Sequence, residues 1–505
     1  MSYFEDYIRG LSQDTPQSPP ADIFGEYIAS LQAPAPSPDV PGEGGSVRPA
    51  SGEAAPPPPD APFDLAVLGG TVVLPESGAA PGSLYIRDGK IAAVSTVDTM
   101  PAKRSVRADG KLVIPGVFDP HIHLGLFNPF HEDIAGESAA AIVGGVTTAG
   151  LYVNADQAAV GAFEEIADQI HSLSHINILP HFVINRREQL PQIPQIIRRY
   201  GVRSFKVYLH GVPGLIESSS DAFIVEVMTA LKQSGEPCVL CAHSETHSLV
   251  MSATERVRAA AGASGTLDDW AGTHPEMAEE EAILRMAFYA KKLRQPVYIV
   301  HISSRGGAAM LAQVKRDNPY ITGETTSPYL TLNTGDAVGF GAKMEPPIRT
   351  RDHQDALWDA LMSGVIDTVG TDNVPLAPGM KQRDNVWEVP SGYSVLETHL
   401  PGVLTAGVIA RRLELHSVVA KLTMAPAKAF GLYPRKGTLL PGSDADIAIV
   451  DLNAAKIVDA AKLHSACGFS PYQGMPLSGW PVMTILGGEI AAADGEAAPP
   501  RGRIV

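Results

Sequence analysis

The chain has 505 residues, 45% of them hydrophobic, which is long enough for one large domain and a smaller one with a sizeable core. Its 39 basic and 55 acidic residues leave a formal charge of −16, and with no Lys/Arg cluster this excludes a nucleic-acid-binding surface. No apolar run approaches the roughly 20 residues that span a bilayer, the N-terminus has neither a basic region nor a hydrophobic signal core, and 3 cysteines make no disulfide framework, so no membrane partner and a cytosolic location are expected.

Residues 1–62 are rich in Pro, Ala, Ser and Gly, the composition of a flexible extension. Inside it Phe4, Tyr7, Ile8 and Leu11 recur as Phe24, Tyr27, Ile28 and Leu31, each set with the i, i+3, i+4, i+7 spacing of an amphipathic helix. Helices this short need something to pack against, so the repeat is expected to dock a protein partner, with two tethered copies adding avidity.

From Phe63 the texture changes to short strands: Phe63–Leu68, Thr71–Leu74, and Ser83–Val94 with a hairpin turn at Asp88-Gly89. Similar runs return at Gly442–Asp451 and Pro481–Ile490, which predicts a small β-sandwich assembled from residues 63–113 and 437–505. Between them, over residues 114–436, apolar strand-like runs at 146–153, 178–184, 204–209, 238–242, 297–302 and 366–370 alternate with longer helical stretches. That alternation predicts an α/β fold, a TIM (β/α)8 barrel. The run Leu112–Phe118 reads as one buried strand leading into Asp119-Pro-His121-Ile-His123, where two imidazoles two residues apart face the same side and suit a divalent ion. Cys238-Val-Leu-Cys241 has the spacing of a zinc motif but no second cysteine pair, and reads as two core thiols.

In such a barrel the chemistry sits at the C-terminal ends of the strands. Four polar residues end or follow apolar runs: Lys206 in Ser-Phe-Lys-Val-Tyr, His243, His301, and Asp372 after Val-Gly-Thr. Singly each has an ordinary explanation, since a histidine or aspartate can cap a helix and a lysine can snorkel. Four of them together with His-x-His make coincidence a poor account.

Their order along the chain resembles the cyclic amidases of the amidohydrolase superfamily, the hydantoinases and dihydropyrimidinases, with dihydroorotases and allantoinases as cousins. The resemblance covers about residues 63–505 and includes Gly144–Thr148, Glu345–Arg349, Ala425–Thr438 and Pro471–Met475. It implies a binuclear metal-dependent hydrolase that opens the C–N bond of a cyclic imide or ureide. His121, His123 and Asp372 would bind one ion and His243 and His301 the other. Lys206, carboxylated by CO₂ to N6-carboxylysine, would bridge them. Zn²⁺ is the favoured metal, and a homotetramer or dimer is implied. The chemistry stands without the family name: a lysine among cations and apolar walls is pushed toward its neutral amine, which captures CO₂ and becomes an anionic ligand. Two ions sharing a water lower its pKa and polarise an amide carbonyl, and Asp372 is suited to carry the proton to the leaving nitrogen.

Substrate contacts are expected from Tyr208, His210, Thr326, Ser327, Asn373 and Ser391. Dihydroorotases usually continue His-x-His with an arginine at the second position beyond it, where this chain has Leu124-Gly125. Hydantoinases commonly carry a tyrosine five residues after the carboxylated lysine, where it donates to the developing oxyanion; here Gly211 stands there, leaving Tyr208 or His210 to take over. Ser391 stands where an asparagine is usual, so the ring is expected to be non-standard, with an allantoinase-like activity as one alternative. A non-catalytic scaffold of the kind some dihydropyrimidinase relatives have become is a second alternative, while Lys206 argues against exocyclic deamination. The tail repeat resembles peptides that carry enzymes into bacterial microcompartments, which would make the cytoplasm, or a microcompartment within it, the site of action.

Overall fold

Residues 62–212, 216–336 and 338–505 are described by a computed structural model. The docking positions Phe4, Tyr7, Ile8, Leu11, Phe24, Tyr27, Ile28 and Leu31 lie outside the described residues. The chain enters through five short strands, β1 (Phe63–Leu74), β2 (Gly78–Arg87), β3 (Lys90–Ser95), β4 (Ala102–Arg107) and β5 (Leu112–Pro115). Asp88 and Gly89, both with positive φ, make the tight turn between β2 and β3, a conformation that matches the twist of paired strands.

Eight strands then form one parallel sheet in chain order: β6 (Val117–Ile122), β7 (Val146–Val153), β8 (Asn177–Val183), β9 (Ser204–Tyr208), β10 (Val239–His243), β11 (Val297–Ile299), β12 (Ile321–Thr326) and β13 (Thr368–Gly370). The sheet curls until its edges meet, where Ile122 bridges Asn373 in parallel. The buried Asp119 carboxylate fastens this seam, accepting from the backbone N–H groups of His121 at 3.1 Å and Thr371 at 3.0 Å and from the Thr371 hydroxyl at 2.5 Å. Helices connect successive strands and cover the outside. In Asp221–Gln233, for example, Ser220 caps the N-terminus by accepting from the Phe223 N–H, and Phe223, Ile224, Val227, Met228 and Leu231 form the stripe turned to the barrel. Every residue of β7, β9 and β10 is buried, as expected for strands covered on both faces.

The chain ends by returning to the first sheet with β14 (Ile447–Ile457), β15 (Pro476–Leu486), β16 (Glu489–Ala493) and β17 (Glu496–Ala497). β14 pairs antiparallel with β5, setting Ile449 opposite Val113, so the two termini share one nine-stranded mixed sheet. Leu65, Val67, Leu84 and Ile86 from one end pack with Ile447, Ile449 and Ile485 from the other.

Two elements differ from expectation. The run Leu112–Phe118 is two strands in two different sheets, with the corner at Gly116, where a Cβ would lie 2.2 Å from the Thr147 hydroxyl. β12 is a barrel strand that the apolar runs did not announce, because Ile321-Thr-Gly-Glu-Thr-Thr is mostly polar yet wholly buried. Cys238 and Cys241 are free buried thiols. No helix among the described residues is long and apolar enough to cross a membrane.

Candidate active site

The seam of the barrel builds the site. At this edge the His123 N–H donates to the Asn373 carbonyl at 2.8 Å and the Asp372 N–H to the His121 carbonyl at 2.9 Å, which carries the Asp372 carboxylate to the histidine pair. His121 Nε2 and His123 Nε2 are 3.2 Å apart, and Asp372 Oδ1 lies 3.1 Å and 3.4 Å from them. All three side chains are buried and their ligand atoms lie within 4.8 Å of one another, the spacing of a group able to hold a metal ion. Asp372 and His301 both take left-handed backbone conformations, at φ 55° and 40°. For residues other than glycine this costs on the order of 1–3 kcal/mol each, and such strain concentrates where side chains must be aimed.

Facing this cluster, the His301 ring stacks on His121 with centroids 5.5 Å apart and meets His243 edge-on at 4.5 Å. Burial holds the His121, His243 and His301 imidazoles below their ordinary pKa, which keeps them in the neutral form that ligates metals. Two carboxylates orient the rings from behind. Glu324 Oε1 is 2.7 Å from His121 Nδ1, so Nδ1–H donates and Nε2 presents its lone pair to the cluster. Glu245 Oε2 is 3.0 Å from His243 Nε2 while its Oε1 meets His274 Nδ1 at 2.9 Å. Burial opposes the ionisation of Glu245, but His274 and His243 outweigh it and hold the carboxyl well below the usual range. Glu324 goes the other way: burial pushes it up to about 8 although the His301 N–H and the Tyr298 hydroxyl donate to it.

Lys206 rises from the middle of β9 into the barrel, wholly buried, its Nζ 4.4 Å from the centre of the Tyr152 ring and 5.0 Å from that of Tyr208. The Nζ has no hydrogen-bond partner, and burial lowers its pKa to about 8. An unpartnered buried ammonium is unfavourable by several kcal/mol, on the order of what a buried ion requires without its counter-charge. A bare nitrogen pushed toward its neutral amine, among imidazoles held neutral by burial and beside the Asp372 carboxylate, leaves a donor set that fits a divalent metal ion.

The expected substrate contacts divide. Tyr208 follows Lys206 on the same face of β9, with its ring 5.9 Å from that of His243. His210 and Ser391 converge on Glu345, Nε2 at 3.2 Å from Oε1 and Oγ at 3.2 Å from Oε2. Thr326 is buried with its hydroxyl unpartnered. The Ser327 hydroxyl instead meets His399 Nδ1 at 2.9 Å, and the Asn373 side chain is engaged by Glu137 at 3.0 Å and the Val395 N–H at 2.8 Å, so both are tied into the scaffold. Glu245, Glu324 and Glu345 were not among the site residues expected from sequence, although Glu345 opens one of the segments that carry the resemblance and Glu245 lies two residues after His243; Glu324 meets His121 across 203 residues of chain.

The amidohydrolase family profile matches residues 112–491. An L-hydantoinase of Paenarthrobacter aurescens is 32% identical over 457 residues, which cover 87% of this chain and 97% of that protein. An allantoinase of Deinococcus radiodurans is 30% identical over 453 residues, covering 88% of this chain and 98% of that protein. Among solved structures, the L-hydantoinase (dihydropyrimidinase) from Arthrobacter aurescens superposes with a TM-score of 0.81 at 30% identity, over 88% of this chain and 99% of that one. With the barrel, the histidine–aspartate cluster and this match in hand, the chain belongs to the amidohydrolase family.

Proposed function

We propose that this protein is a binuclear metal-dependent hydrolase that opens the C–N bond of a cyclic imide or ureide, as a hydantoinase or dihydropyrimidinase does. The observation that carries the proposal is Lys206: fully buried, unpartnered, pushed toward its neutral amine, and on the strand beside β10, which ends at His243. His121, His123 and Asp372 would hold one divalent ion, His243 and His301 the second, and Lys206, as N6-carboxylysine formed from CO₂ or bicarbonate, would be shared by both. Imidazole, carboxylate and carbamate accept Zn²⁺, Mn²⁺ and Fe²⁺ alike, and Zn²⁺ is the proposed metal. When bound, such a pair of ions acidifies a water and polarises an amide carbonyl.

The residues of the chain do the rest. Glu324 and Glu245 fix the ring orientations of His121 and His243, so the ligand nitrogens are presorted before anything binds. Asp372, strained into place beside the histidine pair, accepts a proton from the attacking water and returns it to the leaving ring nitrogen. His210 lies beside His243 with ring centroids 5.9 Å apart and holds Glu345, and Glu345 with Ser391 offers a carboxylate and a hydroxyl suited to the N–H and C=O edges of a ureide.

An allantoinase-like activity is the alternative within the same chemistry, supported by the comparable identity to the allantoinase relative. A non-catalytic scaffold would have no need to keep a complete, converging donor set. The N-terminal repeat remains a proposed docking element for a protein partner, a microcompartment component among the options, and a homotetramer or dimer is the proposed assembly. Metal per chain by plasma mass spectrometry, with turnover of hydantoin, dihydrouracil and allantoin by wild type and Lys206→Ala, tests the proposal. About two ions and ring opening, both lost with Lys206, are expected; wild type that binds no metal and opens no ring after metal and bicarbonate are supplied refutes it.

A further inference from the structure

Ring opening adds the OH of water to the carbonyl carbon and its remaining hydrogen to the nitrogen, and the carbonyl oxygen carries negative charge on the way. A donor aimed at that oxygen is worth two to three orders of magnitude in rate. It cannot come from position 211. A Cβ on Gly211 would lie 2.3 Å from the Ile216 carbonyl oxygen, 2.6 Å from the Ser218 nitrogen and 2.9 Å from the Glu217 carbonyl carbon, all backbone atoms rather than the ends of flexible side chains.

Nor is His210 free. Its Nδ1 is 3.0 Å from His247 Nδ1 and its Nε2 is 3.2 Å from Glu345 Oε1, so both ring nitrogens already have partners. Burial opposes its protonation, but the hydrogen bond to Glu345 and the charges of Glu245 and Glu345 outweigh it and raise its pKa, which tightens that engagement.

Tyr208 is placed differently. It lies one pleat beyond Lys206 on the inner face of β9, 5% exposed, with Lys206 Nζ 5.0 Å from its ring centre and the His243 ring 5.9 Å away. Its hydroxyl has no hydrogen-bond partner among the described residues, yet it is not among the atoms sealed from solvent. A phenol hydroxyl is a donor at neutral pH.

We infer that Tyr208, rather than His210, donates the hydrogen bond that stabilises the developing oxyanion, an inference that rests on the cyclic amidase reading above. The test is Tyr208→Phe and His210→Ala in the full-length, metal-reconstituted enzyme, assayed on whichever ring the wild type opens. Tyr208→Phe is expected to lower kcat by about 10²- to 10³-fold while changing KM by less than about threefold. Its metal content and thermal midpoint should not move, because the hydroxyl it loses bonds nothing among the described residues. His210→Ala is expected to lower kcat by less than about tenfold, since its interactions are with the chain. A Tyr208→Phe enzyme within about threefold of wild-type kcat, or an equal or larger kcat loss in His210→Ala, overturns the assignment while leaving ring opening intact. A wild type that opens none of the rings overturns the assignment and the function together.

Discussion

Lys206→Met separates what the lysine costs the fold from what it does in the site. Methionine keeps most of the volume and removes the amine. Burial lowers the Lys206 pKa from 10.5 to about 8, a difference of about 2.5 units, and at roughly 1.36 kcal/mol per unit the metal-free fold carries a penalty on the order of 3 kcal/mol. The sign follows from linkage: the folded pKa is the lower one, so the penalty is fully present below about pH 8. It is relieved as the pH rises toward 10.5, where the unfolded chain still binds the proton and the folded chain has released it. After chelation, Lys206→Met should therefore be more stable than wild type at pH 7 by about 3 kcal/mol. The gap should close as the pH approaches 10.5. Urea midpoints of the two proteins across pH 7–10.5 measure it, and the difference between them cancels every other group that titrates in the range. With metal and bicarbonate restored the order should invert, since the proposed shared ligand requires the Lys206 amine. A chelated variant that is less stable than wild type at pH 7, or a gap that does not change with pH, would refute the reasoning.

Glu324→Gln keeps the shape but weakens the acceptor on His121 Nδ1; metal affinity, measured by competition with a chromophoric chelator, should fall by about 10- to 100-fold with the fold unchanged. Gly211→Ala drives a methyl into backbone 2.3 Å away and should destabilise the protein by about 1–3 kcal/mol, read as a lower thermal midpoint, so a tyrosine placed there would not restore a donor. Deleting residues 1–60 should leave kcat/KM within about twofold, because the relatives align over 97% or more of their own length with residues that cover only 87–88% of this chain. A dead or aggregated truncation would show that the extension belongs to the catalytic fold.

Much of this architecture was legible because local rules and tertiary demands agree. His121 and His123 face one side for the same reason any i, i+2 pair does, and Lys206, His243, His301 and Asp372 lie at strand ends or in strands whose apolar neighbours announce them. Legibility failed where the site overrides pattern. β12 is polar because Glu324 must stand behind His121 and because the Tyr298 hydroxyl and the His301 N–H need an acceptor, so a wholly buried strand carries no apolar run. The run Leu112–Phe118 hides a change of sheet behind one glycine, and only the Thr147 hydroxyl in the next strand reveals why that glycine is there. Asn373 and Ser327 also lie beside strand ends, and their side chains turn to Glu137 and His399, engagements that depend on partners 236 and 72 residues away and carry no local signal.

Those failures share a cause that also explains how the centre is held. The ligands themselves come from strand ends, but the forces that aim them come from elsewhere in the chain. Asp119 ties β6 to the residues after β13, Glu324 comes from β12, and Glu137 reaches from the helix Phe130–Val143 to clamp Asn373 beside Asp372. Each is a buried carboxylate receiving two or more donors, and each joins segments more than 200 residues apart. Removing one partner from such a network leaves a buried acceptor or donor unsatisfied, which is why these positions should be felt in metal affinity before they are felt in substrate binding. The site is thus closed by the same contacts that close the barrel, and a chain that folds this way has already placed its candidate metal ligands.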